Sequence, residues 1–394
     1  MQKLPEYVNK TLEALESYGY RAYLVGGCVR DLLMDRSPKD YDIATNALPE
    51  EVQGIFSKTI PTGLKHGTVT VVLSHAQIEV TTFRKDGDYA DNRHPEQVTY
   101  VDDLTEDLAR RDFTMNAIAL NRSGEIEDPF DGRVDIRQKV IRCVGTPNFR
   151  FTEDALRMFR ALRFSAQLGF QIAEETREAI KAQSNLANSL SAERVRDEIE
   201  KILCSASPGI LGDVIGYGLL DAYLTRTSIN AETLERLNHI KEIDARWCAF
   251  AAILIYSGAI ADSKAFLRVL RLPRVIVEEA GIAAGLVQNP LPADQIALKH
   301  LLAAHGENVV RLAALANRCL GRQISIEDIE QILQSDACYQ IKDLALQGKD
   351  LLAYGIPPGA EIGETLRKLL TEVIKDPSKN TKEGLLKVLD TYKH

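Results

Sequence analysis

Asp40 and Asp42 stand one residue apart in Asp40-Tyr41-Asp42-Ile43, shortly after a glycine pair in Leu24-Val25-Gly26-Gly27-Cys28-Val29-Arg30-Asp31. Glycines following a short strand let the backbone approach a ligand, and N–H groups at the start of the next helix can receive phosphate oxygens. Gly27 and Arg30 are the candidate phosphate contacts of this turn. In a strand, residues i and i+2 share a face, so the two aspartates are expected side by side with Tyr41 turned away. Adjacent carboxylates repel until an Arg or Lys, a shared proton or a divalent cation neutralises them, and Mg²⁺ favours carboxylates combined with substrate phosphate. A plain tight turn at the glycines is the alternative reading. Glu79, inside the apolar run Ile78 to Phe83, is either a solvated charge or a third carboxylate facing the pair, as a two-metal phosphoryl-transfer site requires.

Two further segments carry clustered charge. In Glu106-Asp107-Leu108-Ala109-Arg110-Arg111-Asp112-Phe113-Thr114-Met115-Asn116-Ala117, the arginine pair suits phosphate and Asp112 suits ribose hydroxyls; an amphipathic helix with internal ion pairs is the alternative. A helix is expected to begin near Thr152. At 100° per residue it gathers Ala155, Met158, Phe159, Leu162 and Ala166 on one face and Glu153, Asp154, Arg157, Arg160 and Ala161 on the other. Asp154 and Arg157, at i and i+3, form either a surface ion pair or an acceptor beside a fork of donors matched to a base edge, with Arg160 and Arg163 as cations for a triphosphate. Asp86 to Pro95, polar and closed by proline, reads as a mobile loop.

These residues need a scaffold. Short β-prone runs (Tyr23 to Val25, Tyr41 to Ile43, Thr68 to Leu73, Ile78 to Phe83, Ala117 to Leu120) occur only in the first 145 residues, which therefore read as a mixed α/β domain. Beyond Phe151 the apolar spacing is helical, broken by prolines, so an all-helical, elongated remainder is expected. The 394 residues, 45% hydrophobic and 26% charged, exclude disordered and fibrous classes. With 48 basic against 56 acidic residues the net charge is −8, so any nucleic-acid contact must be made by local basic patches. Trp247 to Ala261, the longest apolar stretch, is about 15 residues against the roughly 20 needed to span a bilayer, and it reads as a buried helix. No secretory signal is visible at the start, and a cytoplasmic location is expected. Six scattered cysteines and seven histidines lack metal spacing, so the cysteines read as free buried thiols and any metal would be held by oxygen.

Taken together the motifs resemble the class II tRNA nucleotidyltransferases, the bacterial CCA-adding enzymes within the nucleotidyltransferase and poly(A) polymerase superfamily. Gly26-Gly27-x-x-Arg30-Asp31 with Asp40-x-Asp42 resembles the family's first motif, Arg110 to Ala117 its ribose-reading motif, and Glu153-Asp154-x-x-Arg157 its amino-acid template. Glu193 to Lys201 is similar to the helix supporting that template, and Gly348 to Gly359 to the C-terminal region that reaches the tRNA elbow. The resemblance implies an α+β head with a nucleotidyltransferase-type mixed sheet over residues 1–145, a nucleotide-selecting neck over 146–205, a body over 206–290 and a tRNA-binding tail over 291–394. It implies Asp40 and Asp42 as catalytic Mg²⁺ ligands, CTP and ATP as substrates, and the tRNA 3′ end and elbow as partners, without a membrane. The stretch Ala249 to Tyr256 lacks the His-Asp pair of relatives with a phosphohydrolase module. Gly63-Leu64-Lys65-His66-Gly67-Thr68 differs from the Gly-basic-basic-Phe run of poly(A) polymerases. Poly(A) tailing and addition of A alone remain the alternatives.

Overall fold

The computed structural model describes residues 3–73, 76–87, 98–324, 326–335 and 337–392. Alternation of apolar and polar residues in Thr68-Val69-Thr70-Val71 drives Val69 and Val71 completely out of water and makes this run the spine of a sheet. The strands are β1 (Ala22–Val25), β2 (Asp42–Thr45), β3 (Thr59–Gly63), β4 (Thr68–Val72), β5 (Gln77–Thr82), β6 (Arg84–Asp86), β7 (Val98–Tyr100), β8 (Ala119–Leu120) and β9 (Ile126–Glu127). Seven of them form one sheet in the order β3-β4-β5-β2-β1-β8-β9, while β6 and β7 make a separate antiparallel ribbon. The sheet is mixed: β2 runs antiparallel to β1 and parallel to β5. That register puts Val25, Asp42 and Glu79 in line across three strands.

Helices back the sheet: α1 (Glu6–Ser17) buries Val8, Leu12 and Leu15, and α2 (Gly27–Leu33) springs directly from the end of β1. Then come α3 (Pro49–Ile55), α4 (Leu104–Ala109) and α5 (Gly132–Gln138). Phe83, Leu104, Leu108, Ala117 and Ala119 form the core cluster under β1 and β2. Gly132 belongs to this packing, because a Cβ there would lie 2.2 Å from the Thr114 carbonyl oxygen and 2.8 Å from Ile118.

Beyond residue 145 the expected helices form, with two corrections. The helix anticipated near Thr152 is two helices, α6 (Pro147–Glu153) and α7 (Leu156–Leu168), and Asp154 lies between them with extended backbone. The two-faced pattern also fails. Arg157, Ala161 and Arg163 are buried along with the apolar residues, so α7 has protein on nearly every side. It packs against α9 (Ala192–Leu203), with α8 (Glu174–Ala182) beside α6. A second correction is small: Gln171–Ile172 pairs in parallel with Val140–Ile141, a strand contact within the stretch expected to be helical throughout.

The chain divides into two compact units, residues 1–222 and 223–394. The first holds the sheet together with α1 to α9, so the regions expected as head and neck belong to one packed body. In the second, the apolar stretch forms the helix Ile243–Tyr256, buried from Trp247 to Leu254 and packed on helices Arg274–Leu286 and Glu307–Cys319. Leu344, Leu351, Leu369, Val373 and Leu385 make a further core cluster toward the C-terminus. Among the described residues no helix is long and apolar enough to cross a membrane. Of the loop expected at Asp86 to Pro95, residues 88–95 lie outside the described residues; β6 and β7 flank it, with Asp86 opposite Val98. None of the six cysteines is in a disulfide; Cys204 is exposed and the other five are buried.

The packing around Gly132 gives a direct test. Gly132→Ala should lower stability by about 2 kcal/mol through overpacking against backbone, read as a drop of several degrees in the thermal transition of the first unit. An unchanged transition would show that the α5 start is not packed as described.

Candidate active site

The site is built where β1 ends. Gly26 caps α2 at φ 77°, a conformation that favours glycine, and a Cβ there would meet Arg111 Nη1 at 3.1 Å and Asp42 Oδ2 at 3.9 Å. The backbone angle favours glycine here, and the approach of the Arg111 guanidinium leaves little room for a side chain. At Gly27, the first residue of α2, an added Cβ would come within 3.6 Å of Arg30 Nη2.

The expectation that both aspartates occupy one strand holds for Asp42 alone. Asp40 lies in the bend before β2, which starts only where Asp42 pairs with Val25 on one side and Glu79 on the other. Strand alternation therefore does not set their spacing, but they remain electrostatic neighbours. The Asp42 carboxyl is raised above its ordinary value by burial of its inner side and by Glu79, against the pull of Arg111, with Asp40 adding to the rise. Crowded carboxylates of this kind present an oxygen donor set that a cation would relieve. Among the described residues no three Asp, Glu, His or Cys side chains close on one point as a ready metal site. The donor chemistry fits Mg²⁺ held by two carboxylates that takes its other ligands from substrate phosphate and water, with Glu79 standing beside the pair across the strand boundary.

Facing this corner is a cleft of about 440 Å³, within the range of small-molecule sites. Six arginines line it (Arg30, Arg110, Arg111, Arg157, Arg160 and Arg194) against three aspartates, Asp42, Asp112 and Asp154, leaving a surplus of positive charge. Three of those arginines are already oriented on the aromatic and polar floor. Arg30 donates to Asn116 Oδ1 at 2.9 Å and Arg160 to Asp112 Oδ2 at 2.8 Å, and both guanidiniums lie against the Phe164 ring, at 5.2 and 5.4 Å. Arg111 donates to Asp107. Burial pushes the Asp112 carboxyl up, but Arg160 and Asn116 outweigh it and bring it down to about 2. Asp112 thus lines the cleft, as its expected ribose role requires, while holding Arg160 in place.

The expected Asp154–Arg157 pairing is corrected by the helix break. Asp154 receives Arg194 from α9, at 3.0 and 2.9 Å to its two oxygens. Arg157 instead donates to Glu153 Oε2 at 2.7 Å and to the Arg110 carbonyl at 2.9 Å. Both still line the cleft, as an acceptor and a donor fork from different anchors. Arg163 does not line it: it lies 3.0 Å from the buried Glu198 and against Phe164 at 4.3 Å, so its charge is spent inside the protein. Sequence reasoning missed Arg194, Asn116, Phe164 and the buried Asp107. Arg194 stood in the helix read as supporting the template, and only its partner was hidden.

Residues 22–142 match the poly A polymerase head domain family, 169–224 a probable RNA and SrmB-binding site of polymerase A, and 239–389 a putative tRNA nucleotidyltransferase domain 2. A CCA-adding enzyme of Geobacillus thermodenitrificans is 42% identical over 388 residues, covering 95% of this chain and 94% of that one. The chain belongs to the CCA-adding enzymes. Its head is thus that of a family of nucleotidyltransferases, and the relatedness extends through both compact units. A second relative, from Lactobacillus delbrueckii subsp. bulgaricus, is 38% identical over 388 residues, covering 96% of each chain. The crystal structure of the Bacillus stearothermophilus CCA-adding enzyme in complex with CTP superimposes with a TM-score of 0.83 at 35% identity, covering 100% of this chain and 99% of that one. A Thermotoga maritima CCA-adding enzyme complexed with tRNA shares the fold at 22% identity and a TM-score of 0.69, covering 99% of this chain and 97% of that one.

The Arg160–Asp112 pair makes a pH prediction. A carboxyl whose pKa is lower in the folded than in the unfolded chain adds stability above the unfolded value, near 3.8, and loses it as pH falls toward about 2. Wild type should therefore exceed Asp112→Asn in melting temperature by a constant margin above about pH 5, and that margin should shrink below it. A margin that changes between pH 5 and 8 would contradict the pairing.

Proposed function

We propose that this chain adds C, C and A in turn to the 3′ end of tRNA, taking CTP and ATP and releasing pyrophosphate at each step. One observation carries the reading: a single cleft joins the carboxylate corner at Asp42 to an arginine wall that ends at the Asp154 and Arg157 base-edge groups. Arg30, Arg110, Arg111 and Arg160 offer donors to a triphosphate, and Asp112 an acceptor to ribose. Asp154 accepts from an exocyclic amine while the Arg157 fork donates to ring acceptors. Cytosine and adenine present that donor and acceptor pattern, and uracil and guanine present the reverse. Asp40 and Asp42 would hold Mg²⁺, which when bound activates the attacking 3′-hydroxyl and stabilises charge on the transferring phosphate. In this reading the α-phosphate sits toward that carboxylate corner, and the tRNA body is gripped elsewhere on the helical surfaces. Such work belongs in the cytoplasm, where tRNA is matured and repaired.

Tests separate the parts of this reading. With tRNA lacking its 3′ end, the wild-type chain should incorporate label from CTP and then from ATP; no incorporation from CTP together with incorporation from ATP on tRNA already ending in CC would favour A-only addition, and runs of A on other RNA would favour poly(A) tailing. Asp40→Ala and Asp42→Ala should each abolish incorporation of both nucleotides while leaving tRNA affinity near wild type, since loss of an ion ligand removes several kcal/mol of transition-state stabilisation. Near-normal turnover of either variant at saturating Mg²⁺ would take the pair out of the chemistry.

The base edge is probed separately. Asp154→Ala should lower the rate with CTP and ATP and also raise misincorporation of UTP and GTP, because a site built to bind a polar group discriminates through it. Unchanged selectivity would reduce Asp154 to a partner of Arg194.

A further inference from the structure

Asp107 is not among the residues lining the cleft, yet two cleft arginines are paired with it. Its carboxylate is completely buried in α4. Oδ1 accepts from Arg110 Nε at 2.9 Å and from the Arg84 backbone N–H at 3.3 Å, and Oδ2 accepts from Arg111 Nη2 at 3.1 Å. Arg110 and Arg111 follow Asp107 by three and four residues, so the turn ending α4 brings both back over one carboxylate. Both arginines line the cleft. Arg111 Nη1 stands over Gly26, and its Nε is a buried donor without an acceptor among the described residues. The Arg110 carbonyl in turn accepts from Arg157 Nη2 at 2.9 Å, which ties the base edge to the same turn.

We propose that Asp107 is the positioning residue of the nucleotide site: it aims Arg110 and Arg111 at the triphosphate and, through the Arg110 carbonyl, fixes Arg157 at the base. The proposal rests on the reading of the cleft as a CTP and ATP site. Free arginines lose considerable rotamer entropy when they clamp a phosphate, and a buried carboxylate that has already ordered them removes that cost from binding. The charge on Asp107 is retained because two guanidiniums offset its burial, which otherwise raises its carboxyl. Arg110 and Arg111 would therefore arrive at the ligand with their forks already set, and the nucleotide would gain affinity without any contact to Asp107.

The test uses the full-length chain and measures steady-state incorporation with CTP and ATP varied at fixed tRNA, then with tRNA varied at fixed nucleotide. Asp107→Asn should raise KM for both nucleotides about tenfold, the effect of one weakened charge-assisted hydrogen bond, and leave KM for tRNA within about twofold. In an Arg111→Ala background the same substitution should add much less, because one of the side chains it positions is gone. Asp107→Glu, which keeps the charge but moves it by a methylene, should show the same split of KM values and serves if the asparagine variant does not fold. Equal changes in both KM values, nucleotide KM values that stay near wild type, full additivity with Arg111→Ala, or unfolding of both variants would overturn the proposal. An inactive wild-type chain would instead overturn the functional reading beneath it.

Discussion

Positive charge gathered in one place must be held apart before any ligand arrives, and that constraint shapes the first unit. Asp107, Asp112 and Glu198 are buried carboxylates, each set against one or two guanidiniums, and together they spread Arg110, Arg111, Arg160 and Arg163 around the cleft and its wall. Phe164 adds an aromatic face against which Arg30, Arg160 and Arg163 all lie. A buried ion pair contributes little net stability, but removing one partner leaves an uncompensated charge and costs several kcal/mol. The arrangement is therefore rigid in composition: each carboxylate answers to named arginines, and Arg110, Arg111 and Arg160 of that set line the cleft.

The sheet enters this balance through its register. The central strands set Asp42 between Val25 and Glu79, so the carboxylate corner is fixed by backbone pairing in the middle of the sheet. Loops can drift by an ångström at little cost, whereas slipping a central strand by one residue would turn its apolar set toward solvent. The negative corner rides on the least adjustable part of the fold, and the arginine wall rides on side chains locked by buried partners.

How much of this was legible beforehand differs by type of evidence. Local patterns were readable: β1, β4 and β5 follow from short β-prone runs, the helix Ile243–Tyr256 from a continuous apolar run, and the glycine and aspartate motifs from spacing. Partners were not. Arg194 and Asp154 are forty residues apart, Arg160 and Asp112 forty-eight, and no local periodicity encodes such pairings. The break at Asp154 escaped because Phe151 to Leu162 has no proline or glycine, so helical periodicity continues across a point where the backbone turns extended. Arg163 was misplaced for the same reason, since spacing along α7 cannot distinguish a guanidinium facing a cleft from one facing Glu198. The short strands β3, β6, β7 and β9 carry too little alternation to stand out.

The distribution of thiols has a practical corollary. Cys28 lies just behind the carboxylate corner with its Sγ toward the Val25 carbonyl, and burial pushes its thiol up to about 11, as it does for Cys319 and Cys338. Cys143 rises to about 12 and Cys248 is raised by complete burial. Thiolate is the reactive form, so these five are poor nucleophiles at neutral pH. Cys204, exposed at the C-terminal end of α9, is left as the accessible sulfur, at the opposite end of that helix from the Arg194 that grips Asp154. A maleimide dye would therefore attach there in the unmodified sequence, giving a spectroscopic reporter on the helix that supports the base edge without altering the cleft.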